Sequence, residues 1–140
     1  MHKLSCVLLV DDDSTTNYLN QLLLTRLNIA EKLLVALNGQ EALDLLEVQC
    51  QGASADCPML VLLDVKMPVM DGFAFLEAFA NLPLARREAI VIVMLTTSLH
   101  PLDVERIQRL NIAGFLNKPL TREKIDLILQ EHFGHRLPAE

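Results

Sequence analysis

Leu63-Asp64-Val65-Lys66-Met67-Pro68-Val69-Met70-Asp71-Gly72 is the stretch that decides the fold. It follows the apolar run Met59-Leu60-Val61-Leu62, so Asp64 stands where a buried strand stops and a loop begins. In open α/β sheets that carboxyl edge is where ligands bind. The same grammar occurs earlier, where Val7-Leu8-Leu9-Val10 runs into Asp11-Asp12-Asp13. If the two strands are neighbours, three or more carboxylates converge on one small volume. Such a cluster repels itself unless a cation sits among them.

Outward from these two edges, short apolar runs alternate with amphipathic stretches, the pattern of a parallel sheet covered by helices on both faces. Strands are expected near Ser5–Val10, Lys32–Leu37, Met59–Leu63, Ala89–Leu95 and Gly114–Asn117. Helices are expected near Thr15–Leu27, Gln40–Glu47, Phe73–Asn81, Leu102–Leu110 and Arg122–Phe133. Leu19, Leu22, Leu23 and Leu27 are read as the core stripe of the first helix, and Phe75, Leu76 and Phe79 as that of the third. Asn38-Gly39, Pro101 and Thr121 punctuate helix starts, and Asp13 and Asp71-Gly72 read as caps and helix-start architecture. Five strand–helix units fit a doubly wound five-stranded parallel sheet of order 2-1-3-4-5. Its first and third strands are adjacent, so Asp11, Asp12 and Asp64 meet. Thr96-Thr97 and Lys118-Pro119 end the fourth and fifth strands at the same edge.

Composition narrows the function classes. One α/β domain over residues 3–133 with a tail over 134–140 is expected, with no output domain. A formal charge of −6 argues against nucleic acid, whose phosphates need a basic face. No apolar run is long enough to span a bilayer and no signal peptide is visible, so a cytoplasmic protein without membrane contact is expected. The three cysteines, Cys6, Cys50 and Cys57, are read as reduced thiols, although Cys50 and Cys57 flank a polar loop across which they can pair. His2, His100, His132 and His135 have no metal-ligand spacing and are assigned no role, although His100 lies near the Thr96 loop.

Clustered carboxylates at a loop edge suit Mg²⁺, which takes one or two carboxylates, a carbonyl and several waters. Beside such an ion a carboxylate can act as nucleophile toward a phosphoryl group, giving an aspartyl phosphate. The transferring group spreads charge over its oxygens, and the Lys118 ammonium and Thr96 hydroxyl are suitable partners for them. Asp64 lies between the acidic pair and these two groups, which makes it the best nucleophile.

Leu8-Leu9-Val10-Asp11-Asp12-Asp13, Leu63-Asp64 with Met67-Pro68 and Asp71-Gly72, Met94-Leu95-Thr96-Thr97 and Gly114-Phe115-Leu116-Asn117-Lys118-Pro119 resemble the receiver domains of two-component response regulators. The resemblance runs from about Lys3 to Phe133 and implies a CheY-like, flavodoxin-like (βα)₅ fold. It implies Asp64 as the phosphoacceptor, and Mg²⁺ held by Asp12, Asp64 and the backbone carbonyl of Lys66, with Asp11 helping through water. Thr96 and Lys118 would contact the phosphoryl group, Thr96 and Phe115 would switch together, and Lys118-Pro119 would be a cis peptide. The implied function is that of a stand-alone response regulator in a phosphorelay. It would be phosphorylated by a sensor histidine kinase or phosphotransfer protein and would act on an unidentified downstream protein, as a monomer or a phosphorylation-linked dimer. No enzymatic activity is expected beyond its own phosphorylation and dephosphorylation. Lys66 and Thr97 are long or bulky beside the acceptor and are candidates for slowing hydrolysis. Leu127 lies off the stripe of Ile125, Ile128 and Leu129 and offers an apolar contact.

Two alternatives use the same residues. Asp11-Asp12-Asp13-Ser14-Thr15 fits the DxDxT signature of haloacid-dehalogenase-type phosphatases, with Asp11 and Asp13 as the catalytic pair. That class needs a further strand with acidic ligands after the lysine, and only a helical pattern follows Lys118. The other alternative is a phosphorylation-independent pseudo-receiver acting by contact alone.

Overall fold

The computed structural model describes residues 3–50, 57–82, 90–97, 105–106, 109, 112–134 and 137. Along the chain run β1 (Leu4–Val10), α1 (Ser14–Leu27), β2 (Ala30–Ala36), α2 (Gly39–Gln49), β3 (Leu60–Asp64), α3 (Gly72–Phe79), β4 (Val91–Thr96), β5 (Gly114–Asn117) and α4 (Arg122–Phe133). The strands form one sheet of order β2-β1-β3-β4-β5, with every neighbouring pair parallel. The expected architecture is therefore present. Most of the helix expected over Leu102–Leu110, together with Pro101 and His100, lies outside the described residues.

Alternation along the central strands sends side chains to two separate cores. Leu8, Val10, Val61, Leu63 and Met94 pack with Ala42 and Leu46 of α2 and Phe75, Leu76 and Phe79 of α3. Val7, Leu9, Leu60, Leu62, Val93 and Leu95 pack with Leu24 of α1 and Ile125, Ile128 and Leu129 of α4. Each helix starts on a polar cap that accepts an otherwise unsatisfied backbone N–H. Asp13 accepts from Thr15, Asn38 from Glu41, Asp71 from Ala74 and Thr121 from Lys124. The second strand begins two residues earlier than expected. Leu4 pairs with Ala30 and donates its N–H to the Ile29 carbonyl at 2.7 Å, carrying the β1–β2 ladder upstream.

Two sequence expectations are corrected. In α1, Leu19 and Leu22 are 57% and 43% exposed, whereas Asn17 and Leu24 are buried. Asn17 donates its side-chain amide to the Asp11 carbonyl at 2.8 Å, which turns the helix and sets the inner face at 17 and 24. Leu23 and Leu27 flank that face, partly buried against the second core. The thiol expectation fails for two of the three cysteines: Cys50 and Cys57 form a disulfide, and Cys6 is a buried free thiol. Cys50 caps the end of α2 and Cys57 precedes β3; both lie on the first core, and their Cα atoms are 4.4 Å apart.

Candidate functional site

The sheet topology puts the ends of β1, β3, β4 and β5 at one edge. Asp11 follows the last residue of β1, Asp64 ends β3, Thr96 ends β4, and Lys118 follows β5. In register, Asp64 faces Leu95 and Thr96 faces Asn117, so the functional side chains sit at nearly one level. They surround a cavity of about 360 Å³ whose walls also include Asp12, Lys66 and Thr97.

The Lys118 ammonium lies 2.6 Å from Asp11 Oδ2 and 3.2 Å from Asp64 Oδ1, bridging the two buried carboxylates. Asp11 Oδ1 accepts the Asp13 N–H at 2.9 Å, so protein donors engage both of its oxygens. Asp64 Oδ1 also accepts the Val65 N–H at 2.9 Å, and Oδ2 takes no hydrogen bond from the described residues. Burial, and then the Asp11 charge, push the Asp64 carboxyl above its ordinary range; Lys118 only partly offsets this. Burial pulls the Lys118 ammonium down, but its two carboxylates outweigh that and hold it above the ordinary lysine value. The cation is therefore permanent at neutral pH.

The predicted residues separate into three groups. Asp11, Asp12 and Asp64 come together, each offering one oxygen within 4.8 Å of the others. Thr96, Thr97, Lys66 and Lys118 stand around them, with Thr96 buried and Lys66 and Thr97 exposed. Phe115 stays outside the cavity, partly buried against the first core beside its register partner Met94. Lys118–Pro119 is cis, as expected, and Pro119 lines a neighbouring groove with Leu19, Leu23 and Leu120.

Asp13 also lines the cavity, but its carboxylate is engaged by the start of α1. It caps α1 through Thr15 and accepts the Thr16 hydroxyl at 3.0 Å, and those bonds hold its carboxyl below the usual range. The DxDxT reading needs Asp13 as a working acid, and its carboxylate is already committed to the helix. Nor does any strand follow β5 among the described residues.

Two residues that brace the site escaped sequence reasoning. Asn17 holds the Asp11 backbone from α1. Lys124 donates from α4 to the carbonyls of Asn117 and Pro119, on either side of Lys118. A buried-face Asn in α1 was the one available signal; Lys124 looks in sequence like any surface lysine.

Comparison with known proteins agrees with this geometry. The family described as response regulator receiver domain matches residues 7–130. A probable chemotaxis protein CheY from Rhizobium etli is 31% identical over 128 residues, covering 91% of this chain and 92% of the relative. The response regulator Rcp1 of Synechocystis is 31% identical over 112 residues, covering 80% of this chain and 75% of that protein. A two-component response regulator from Cytophaga hutchinsonii has the same fold, with a TM-score of 0.85 at 22% identity, over 96% of this chain and 100% of its own. With acid cluster, threonine and lysine at one sheet edge and a family match over most of its length, this chain belongs to the response regulator receiver domain family.

Proposed function

We propose that this protein is a Mg²⁺-dependent phosphoacceptor in two-component signalling, with Asp64 as the acceptor. The observation that carries this reading is the Lys118 ammonium held between Asp11 and Asp64 beside a third carboxylate, Asp12. Three carboxylate oxygens in so small a space are a hard-oxygen donor set that fits Mg²⁺. Asp12 and Asp64 would hold the ion with the Lys66 carbonyl, and Asp11, whose oxygens are engaged, would act through water. When bound, the ion supplies charge neutralisation for the phosphoryl oxygens.

The chain's own residues account for the rest. Asp64 Oδ2, which takes no hydrogen bond from the described residues, attacks phosphorus: a P–O bond forms as the P–N bond of a donor phosphohistidine breaks. Lys118 and the Thr96 hydroxyl pair with the phosphoryl oxygens. A phosphoryl group on Asp64 competes with Asp11 for the Lys118 ammonium, so the modification reaches the end of β5 directly. Thr96 and Phe115, on adjacent strands, carry the change to the surface as a population shift between two states.

The partners follow from this chemistry. A sensor histidine kinase or phosphotransfer protein delivers the phosphoryl group, and another protein reads the result or takes the group onward. The groove of about 550 Å³ beside the site shares Thr16, Thr97 and Lys118 with it and adds Leu19, Leu23 and Leu120. It offers the donor protein an apolar hold next to the acceptor. No turnover of an external substrate is proposed. Among the described residues no helix is long and apolar enough to cross a membrane; a cytoplasmic location is proposed because the histidine kinase donor draws its phosphoryl group from ATP.

Intact mass after incubation with Mg²⁺ and acetyl phosphate tests the reading. One Mg²⁺-dependent phosphoryl adduct on the wild type and none on Asp64→Asn is the expected result. A wild type without an adduct overturns the proposal, and an adduct that survives the substitution means another residue is the acceptor.

A further inference from the structure

Lys124 occupies an electrostatically poor position. It is the third residue of α4, and its backbone N–H donates to the Thr121 cap at 3.3 Å. The first turn of a helix carries the positive end of the backbone dipole and disfavours a cation. Its side chain nevertheless reaches back over the loop before the helix. The ammonium donates at 2.6 Å to the Asn117 carbonyl and at 2.8 Å to the Pro119 carbonyl. Those two carbonyls bracket Lys118, whose own N–H donates to the Thr96 carbonyl at 2.7 Å. The backbone around Lys118 is thus fixed at three points, to the end of β4 on one side and to α4 on the other.

From this geometry we infer that Lys124 is a positioning residue for the phosphoryl-transfer site: its ammonium forks onto the Asn117 and Pro119 carbonyls and so fixes the Lys118 ammonium between Asp11 and Asp64. The inference deepens the phosphoacceptor reading and rests on it. Lys124 touches none of the reacting groups and acts entirely through the backbone that carries Lys118. A lysine suits this task because one ammonium has three donors and reaches two acceptors at once. The Lys118 ammonium has little slack, since it spans two carboxylates at 2.6 and 3.2 Å. Loss of the fork shifts its backbone anchor, and small misplacements of a reacting group are costly in rate.

The test is a double-mutant cycle on phosphorylation by acetyl phosphate, followed by intact mass. Lys124→Met, which keeps the length and loses the donors, should slow phosphorylation about tenfold, and Lys124→Arg, with several donors, should restore most of the rate. In a Lys118→Ala background Lys124→Met should change nothing further, because its effect passes through Lys118. An equal loss in both backgrounds overturns the inference. A second readout needs no phosphorylation: the ¹³Cε resonance of Lys118 should shift and broaden in Lys124→Met and recover in Lys124→Arg. An unchanged resonance overturns the inference even where rates fall. If the wild type takes no phosphoryl group, the phosphoacceptor reading fails, and the resonance still decides whether Lys124 positions Lys118.

Discussion

As the proposed acceptor, Asp64 would have to be ionised to act as a nucleophile, yet burial and the Asp11 charge both raise its affinity for a proton. A carboxyl whose folded-state pKa is raised binds its proton more tightly folded than unfolded. It favours folding at acid pH, and that contribution disappears as pH rises through the folded pKa. At pH 7 ionised Asp64 therefore destabilises the protein, and Asp64→Asn removes the charge while keeping an oxygen for Lys118. Without divalent metal the variant should melt a few degrees above the wild type at pH 7. The gap should close as pH falls through the Asp64 pKa toward 4, as thermal melts across pH will show. A lower melting temperature for the variant at pH 7 contradicts this account. Lys66 poses a separate question, since its exposed side chain stands on the cavity wall two residues past the proposed acceptor. Water must approach the phosphorus to hydrolyse an acyl phosphate, and a long cationic arm there obstructs it. Lys66→Ala should shorten the adduct's lifetime severalfold after acetyl phosphate is removed; an unchanged lifetime relieves Lys66 of the role.

At the scale of elements, α3 begins against the backbone of the proposed acceptor. Its first residue, Gly72, donates its N–H to the Val65 carbonyl at 2.9 Å. A Cβ at Gly72 would stand 2.6 Å from the Asp64 carbonyl oxygen and 2.9 Å from Met94 Cε. The backbone oxygen cannot step aside as a flexible side chain would. Gly72→Ala should therefore cost about 1–3 kcal/mol of stability, like other overpacked sites. It should also slow phosphorylation, because the strain falls on the peptide of the proposed acceptor. Denaturant melts and adduct rates measured together check both halves. The sequence announced much at this scale. Asp13, Asn38, Asp71 and Thr121 cap the helices as their residue types suggest, and the apolar runs before Asp11, Asp64 and Thr96 are buried strands. It misled for α1, which carries five leucines: Leu24, outside the expected stripe, is the buried one, on the face where Asn17 bonds the Asp11 carbonyl.

Across the whole molecule, the Cys50–Cys57 disulfide ties the end of α2 to the approach of β3. The opposite end of α2 is stitched to the acceptor loop, where Gly39 donates its N–H to the Met70 carbonyl at 2.8 Å. Both ends of this helix are thus fixed to the chain that leads into and out of β3. Disulfides are rare in the reducing cytosol proposed for this protein, so the redox state of this pair is a direct check on that location. Alkylation of the unfolded, unreduced protein should label Cys6 alone, and reduction should raise the count to three thiols by mass. Cys57→Ser should cost about 2 kcal/mol, the closure entropy of so short a loop in the chain-entropy description. Three labelled thiols before reduction would show that the pair is not joined.

The strands, the two-sided core and the acidic edge were legible in the sequence alone, because each depends on a local pattern, and the expected strand order followed from the class of sheet those patterns imply. A strand's apolar run and the carboxylate that ends it lie within a few residues of one another, and parallel strands joined by helices have few ways to assemble. The face α1 buries, the Cys50–Cys57 bond and the grip of Lys124 on the Lys118 backbone were decided only by the tertiary structure. In each case the deciding interaction joins a side chain to a group whose position is set by another element, and no periodicity in the chain records where that group will be.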